Sequence, residues 1–390
     1  MHEIHKFQPR YDAVIVGGRC AGAATAFLLA RAGARVLLID RQAYGSDTMS
    51  THALMRTGVL QLHRWGLLPT VMATGTPEVR TTTFHYGNDS HRIAMKSEHG
   101  VDYLCAPRRT VLDRILVDAA RGAGAEVRHG VLLSDLLFDS ANRVVGAELK
   151  GLDRAESHVH CGIVIGADGR QSTVARLVNA EAYVEGRSAS ACVYGYYEDL
   201  QREGFHWHFG KGVAASVIPT NERQHCVAAS VPDDAFSATF RGNVERGFLQ
   251  VLEANSPDLR ADVGGARLVG RLRGFVGSPG YFRRAHGSGW ALVGDAGYFK
   301  DPLTAHGITD ALRDAELLVR AILAESAQAF AAYQQERDAL SRPLLDVTEQ
   351  IASFQWSLDE VKTLHRRFSA SMKAEGERFA RLSAPATVAA

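Results

Sequence analysis

The stretch VIVGGRCAG, residues 14–22, sets Gly17, Arg19 and Gly22 at the first, third and sixth places of a strand-to-helix turn that usually carries glycine at all three. Such a turn does its chemistry with backbone. The first glycine permits the tight turn, the last lets helix and sheet approach, and the free N–H groups of the helix N-terminus hold a pyrophosphate. Gly18, Cys20 and Ala21 fill the rest of the turn. Asp40 ends the next apolar run 18 residues after Gly22, where a carboxylate accepts hydrogen bonds from an adenosine ribose, and Arg41 follows it. A carboxylate there favours an unphosphorylated ribose, as in FAD or NAD. Arg19 replaces the second glycine; its guanidinium either lies along the pyrophosphate in charge-assisted bonds or points to solvent.

Two later segments repeat the strand-to-turn grammar. GIVIGADGRQSTVAR, residues 162–176, is an apolar strand that ends in Asp168-Gly169, followed by Ser172 and Arg176. ALVGDAGYFKDPLTAHGITDALRDAELL, residues 291–318, is a strand that enters Gly294-Asp295 and later opens a helix at Gly307. With the first turn, in this order, these segments resemble the single-component FAD-dependent aromatic hydroxylases of the p-hydroxybenzoate hydroxylase-like flavoprotein superfamily.

The resemblance implies roles for particular residues. Asp295 would bond ribityl hydroxyls, Pro302 would sit beside the flavin, and the N–H groups of Gly307, Ile308 and Thr309 would face its N1/O2 edge. His306 falls where some members carry a basic residue, and Arg109 where the family turns an arginine toward FAD. His52, in the loop SDTMSTHALMRTG (residues 46–58), is a candidate active-site residue; helix capping by Ser50 or Thr51 is the plainer role for that loop. The implied reaction is monooxygenation: NAD(P)H reduces FAD, O2 gives a flavin C4a-hydroperoxide, and one oxygen passes to an aromatic or polyketide-like small molecule. No second strand-glycine-helix fingerprint follows residue 40, so NAD(P)H would bind transiently, or a separate flavin reductase would supply the electrons. Two relatives of this fold compete. Halogenases carry WxWxIP and geranylgeranyl-type reductases carry YxWxFP, whereas this chain has AASVIP, with Ala214 and Ser216 at the aromatic places. A non-catalytic flavoprotein is the reading of another class.

The elements needed to position these residues follow from periodicity. AVIVG, a helix over AGAATAFLLARAG, and RVLLID make a βαβ unit. VRTTTFHYGNDSHRIAMKS alternates and turns at Gly87-Asn88-Asp89, as a hairpin of a different sheet. Residues 180–285 are mainly β, with one helix near ERGFLQVLEAN. A helical amphipathic tail follows, expected to break at Pro343 and to fray at its small-residue end. The fold class expected is α/β: a Rossmann-like FAD-binding domain with an inserted, mainly antiparallel β substrate domain and a helical C-terminal tail. The FAD-binding domain is assigned residues 1–75, 105–180 and 286–345, the substrate domain 76–104 and 181–285, and the C-terminal segment 346–390.

Composition sets the partners. With 44 basic and 43 acidic residues the net charge is +1, which gives no case for nucleic acid; small aromatic or hydrophobic substrates are more natural. No apolar run reaches the roughly 20 residues of a membrane span, and MHEIHKFQPRYD lacks a signal-peptide core. A soluble cytoplasmic protein is expected, and five scattered cysteines without a CxxC pair are expected to be reduced and structural. His158 with His160, and His206 with His208, each share a strand face, but no carboxylate or further cysteine completes four ligands, so no metal site is expected. Phe205, Trp207 and Phe209 share the other face, as core or as the wall of a substrate pocket.

Overall fold

The computed structural model describes residues 10–152 and 155–382. The N-terminal stretch read for a leader lies largely, and the fraying C-terminus wholly, outside the described residues. Strand Arg10–Val16 is the centre of the first sheet. Its AVIV run is buried on both faces, as a central parallel strand must be. Strand Val36–Asp40 pairs with it on one side and strand Glu156–Gly166 on the other, both parallel; Glu126–His129 extends the first and Trp290–Leu292 the second, again parallel. Helices Cys20–Arg31, Arg109–Gly122 and Gly307–Leu323 cover one face, with Leu112, Leu116, Leu312 and Leu318 in the shared core. The antiparallel strands Val131–Phe138 and Val144–Gly151 help cover the other. All three sequence motifs and Asp40 thereby fall at the carboxyl ends of four adjacent parallel strands, where open α/β sheets bind their ligands.

The second sheet has seven strands in the order Arg267–Phe275, Ser190–Glu198, His225–Pro232, Val213–Pro219, Phe205–Gly210, Thr81–Tyr86, Asp89–Ala94. Every pairing is antiparallel except that between Phe205–Gly210 and Thr81–Tyr86. The predicted hairpin thus joins the second lobe. Alternation sends Ala215, Val217, Val227 and Ala229 toward helices Val244–Asn255 and Pro257–Gly265, the second of which the sequence reading missed. Phe205, Trp207 and Phe209 face the other way, as expected, into a core shared with the C-terminal helices.

The tail departs from expectation at Pro343. Helix Ala327–Ala352 runs unbroken through it, and therefore also across the assigned boundary at 345/346. Proline in a helix interior costs about 3 kcal/mol, but packing on both sides of it holds this helix. Arg337 is fully buried and donates to the carbonyls of Gly297 and Arg283, while Leu344, Leu345 and Ile351 are buried beyond the proline. Helix Leu358–Arg381, opened by a Ser357/Glu360 capping box, packs back against it. All five cysteines are buried and unbridged. Among the described residues no helix is long and apolar enough to cross a membrane.

Candidate active site

A cavity of about 760 Å³ opens at the strand ends and runs from the first glycine turn to the second sheet. Gly17 makes the turn at φ +105°, a conformation that favours glycine, and its N–H donates to the Ile39 carbonyl at 2.8 Å. Gly22 lies against the Gly17 carbonyl so closely that a Cβ would collide with it. Helix Cys20–Arg31 starts without a side-chain cap, so its first N–H groups lack helical acceptors, and Cys20 and Ala21 line the cavity. Asp40, buried, accepts from the Gly18 N–H at 2.7 Å and the Gln42 N–H at 2.7 Å, which fixes its carboxylate against the turn. Arg41 is exposed at the rim.

Arg19 is neither loose in solvent nor free to lie anywhere along the turn. Its guanidinium bonds the Ser46 carbonyl (2.5 Å), the Ser46 hydroxyl (3.0 Å) and Asp113 (3.1 Å), while still lining the cavity. Asp113 also receives Arg109 Nε at 3.1 Å and the Cys20 thiol at 3.1 Å. Burial pushes the thiol pKa far up, so Cys20 is a neutral donor. Asp113 is therefore the hub that seats both arginines. The Arg109/Asp113 spacing of one helical turn is the signal in the sequence that points to it.

Asp168 lines the cavity, but its carboxylate is engaged locally: it accepts from Ser172 Oγ (2.5 Å) and the Thr173 N–H (2.6 Å) at the start of helix Thr173–Leu177. Arg176 is exposed. Gly294 turns the chain at φ +60° and sets Asp295 on the wall, where burial raises its carboxyl pKa against the pull of Lys300, Arg170 and Arg109. Pro302, Ala305, Gly307 and Ile308 line the cavity at the uncapped start of helix Gly307–Leu323.

His306 corrects an expectation. It is not among the cavity-lining residues; its ring is turned inward, with Nδ1 3.0 Å from Asp310 and Nε2 3.1 Å from Glu375. Burial pushes its pKa down to about 4, so it adds no positive charge. The basic side chain that does line the cavity here is Lys300: it pairs with Asp310 and is pushed down to about 7 by burial and then by the Arg313 guanidinium. Arg313, fully buried, binds Asp310 (2.9 Å), Asp314 (2.8 Å) and Glu375 (2.6 Å).

His52 does face the cavity. It is fully buried, with φ +68° and Nε2 2.6 Å from the Tyr196 hydroxyl, and its Nδ1 has no partner. Burial, then the charge of Arg108, holds it well below the ordinary histidine pKa. The Arg108 guanidinium lies 3.5 Å over the Tyr196 ring. Neither Ser50 nor Thr51 caps the next helix: Ser50 Oγ accepts from the His52 N–H at 3.0 Å, and the helix begins after Met55. Beyond Thr51 and Pro302 lies a further hollow of about 40 Å³, bounded by Cys192, Trp207, Phe209, Ala214 and Ser216. Burial pushes the Cys192 thiol up to about 12.

The FAD binding domain model matches residues 10–348. The chain belongs to this family. FAD is its cofactor, and it is an FAD-dependent oxidoreductase of the p-hydroxybenzoate hydroxylase-like superfamily. It is 31% identical over 309 residues to digeranylgeranylglycerophospholipid reductase 2 of Methanothermobacter thermautotrophicus, a match covering 77% of this chain and 74% of that one. It is 24% identical over 323 residues to a tryptophan 2-halogenase of Chondromyces crocatus, covering 79% and 60%. In fold, a triple mutant of the flavin-dependent brominase Bmp2 superposes with a TM-score of 0.83, at 19% identity over 96% of each chain. P. aeruginosa PqsL in complex with 2-aminobenzoylacetate does so at 0.78, with 21% identity over 93% of this chain and all of that one.

Proposed function

We propose that this flavoprotein is a monooxygenase that hydroxylates a small, ring-bearing molecule. When bound, FAD would supply the redox chemistry, with NAD(P)H or a separate reductase as the source of electrons and O2 as the source of the transferred oxygen. The first-turn N–H groups of Cys20, Ala21 and Gly22 would hold its pyrophosphate, with Arg109 adding charge from the side. Asp40 would accept the ribose hydroxyls and Asp295 the ribityl ones. Two uncapped helix starts opening onto one cavity fit an elongated ligand that is anionic at one end and gains negative charge at the other on reduction. Asp168 shapes its turn, holding the chain open at Gly169.

The observation that carries the hydroxylase reading is His52 on the cavity wall, its ring held from behind by the Tyr196 hydroxyl. A neutral imidazole can accept a hydrogen bond from a phenol or enol and so raise the electron density of its ring; Tyr196 fixes the imidazole orientation. The hollow beyond Pro302, about 40 Å³, adds only a small extension to the main cavity, which suits a compact substrate better than a long chain. It exists because Ala214 and Ser216 are small, it is walled by Trp207 and Phe209, and helix Leu358–Arg381 packs on the core of that face, which keeps water out.

A second reading, reduction of an isoprenoid double bond, rests on the 31% identity to the archaeal reductase. Stopped-flow mixing under argon with NADH or NADPH, with and without candidate phenols, followed by admission of O2, separates the two. Substrate-stimulated flavin bleaching and a product heavier by one oxygen atom support hydroxylation. A saturated product formed without O2 overturns it in favour of reduction, and a flavin that no reductant bleaches rejects both.

A further inference from the structure

His206 and His208 share a strand face without further ligands near them in sequence; the fold supplies a third. Strand Thr81–Tyr86 lies parallel to Phe205–Gly210 with His85 opposite His208, so three histidines share one face of the second sheet. One nitrogen from each lies within 4.8 Å of the other two. Alternation puts this face opposite the one bearing Trp207 and Phe209, so the cluster is separate from the active-site cavity, whose wall includes none of the three.

We propose that His85, His206 and His208 form a binding site for a divalent ion of the zinc class. Three details of geometry support it. First, His85 Nε2 and His206 Nδ1 are 3.0 Å apart, close to the roughly 3.3 Å that two nitrogens span in a tetrahedral site with metal–nitrogen bonds of ~2.0–2.1 Å. Second, His206 Nε2 sits 2.9 Å from the Glu203 carbonyl, an outer partner that keeps the proton on Nε2 and leaves Nδ1 as the lone-pair nitrogen; in the empty site Nδ1 accepts the His85 Nε2–H, and metal binding replaces that bond as the His85 proton moves to its Nδ1. Third, His208 is 2% exposed and neither of its ring nitrogens has a partner. A buried imidazole without a single hydrogen bond is a costly arrangement. Coordination would satisfy it.

The rings now stack, His85 and His208 at 4.0 Å between centroids and 7° between planes. The ion therefore enters as His208 turns about its ring torsion, which no hydrogen bond resists. The surrounding charge is tolerable: Arg202 is paired with Asp262, and Arg92 is exposed. An all-imidazole donor set suits Zn2+ and excludes Ca2+ or Mg2+, which require oxygen. Three protein ligands leave a fourth position for water or a nearby side chain. The role is that of a clip joining the Thr81–Ala94 hairpin to the lobe at its one parallel junction. The other three-donor cluster, His306, Asp310 and Glu375, already holds the cations of Arg313 and Lys300 and is not a second site.

The test uses the FAD-loaded protein, stripped with EDTA and titrated with Zn2+ against a chromophoric chelator, and with Co2+ for its visible absorption. One equivalent should bind, give a tetrahedral Co2+ spectrum and raise the melting temperature. His85→Gln and His206→Gln should each weaken Zn2+ by about tenfold to a hundredfold or more and abolish the thermal gain, while the flavin spectrum stays unchanged. His85 is half-buried at the hairpin, so its variant should fold even if one at His208 does not. Absence of Zn2+ binding in the unmutated protein, or binding of equal strength in both variants, overturns the proposal and leaves a stack of neutral rings. Neither result bears on the hydroxylase reading.

Discussion

The two walls of the active-site cavity are built by different means. The cofactor side is mostly backbone: a glycine turn, two bare helix starts and carboxylates fixed at the ends of adjacent strands. The side proposed for substrate is mostly side chains drawn from distant segments: His52 backed by Tyr196, and, in the adjoining hollow, Trp207 and Phe209 with Ala214 and Ser216. Backbone geometry demands particular residues at fixed spacing and tolerates few others. A side-chain wall can be rebuilt one residue at a time, so relatives on one cofactor scaffold can be reductases, halogenases and monooxygenases.

That contrast can be broken or sharpened by substitution. The largest effect is expected from Gly22→Val, whose Cβ would strike the Gly17 carbonyl; the purified protein should lack FAD, as read from the absorbance ratio of flavin to protein. His52→Asn keeps a residue tolerant of the left-handed backbone at φ +68°. It should retain FAD while losing about 10²-fold in turnover, the lower end of what a positioned acid–base side chain contributes. A proportional loss of FAD would make His52 part of the cofactor wall instead.

Lys300→Met tests charge on the cofactor side. Leaving Asp310 without its lysine costs stability, about 3–5 kcal/mol for a broken buried pair, although Arg313 at 2.9 Å offsets part of that; a thermal melt measures it. The pH dependence has a definite sign. Lys300 is pushed down to about 7 in the fold and returns to ~10.4 when unfolded. Across that window the unfolded chain binds the extra proton, so this lysine makes stability rise with pH from about 7 upward. The variant should lose that rise, and its flavin potential should fall below that of the unmutated protein at pH 6 and approach it at pH 9. The smallest effect is expected from Arg19→Gly. Its partly exposed pair with Asp113 is worth about 0–1 kcal/mol, so FAD affinity should fall only slightly, with looser 46–47 backbone visible in hydrogen exchange.

How much of this was legible in the sequence divides along the same line. Gly17, Gly22, Asp40, Asp168, Asp295, Pro302 and Gly307 could be read because each has a local reason to be where it is, a turn or a strand end, and the structure sets all seven at or just behind the cavity. His306 was misread because proximity along the chain does not fix where a ring points; Asp310 and Glu375 draw it inward. Lys300 and Asp113 were missed for the converse reason, since their value lies in partners from other segments. Pro343 was read by local propensity, and long-range packing overrode it. His85 became a neighbour of His206 and His208 only through a parallel pairing between strands more than a hundred residues apart, which no spacing rule reaches.

The order of strands in the first sheet has a consequence for how the protein matures. The wall of the cavity begins at Gly17 and is finished only when Trp290–Leu292 docks beside Glu156–Gly166 and delivers Asp295 and the helix start at Gly307. A chain emerging from synthesis therefore carries half a cofactor site for most of its length, and contacts so distant form slowly. Flavin capture has to wait for the last quarter of the polypeptide. Bound flavin is then a seal on a completed molecule, and an apoprotein pool is the natural mark of chains that stalled before closing.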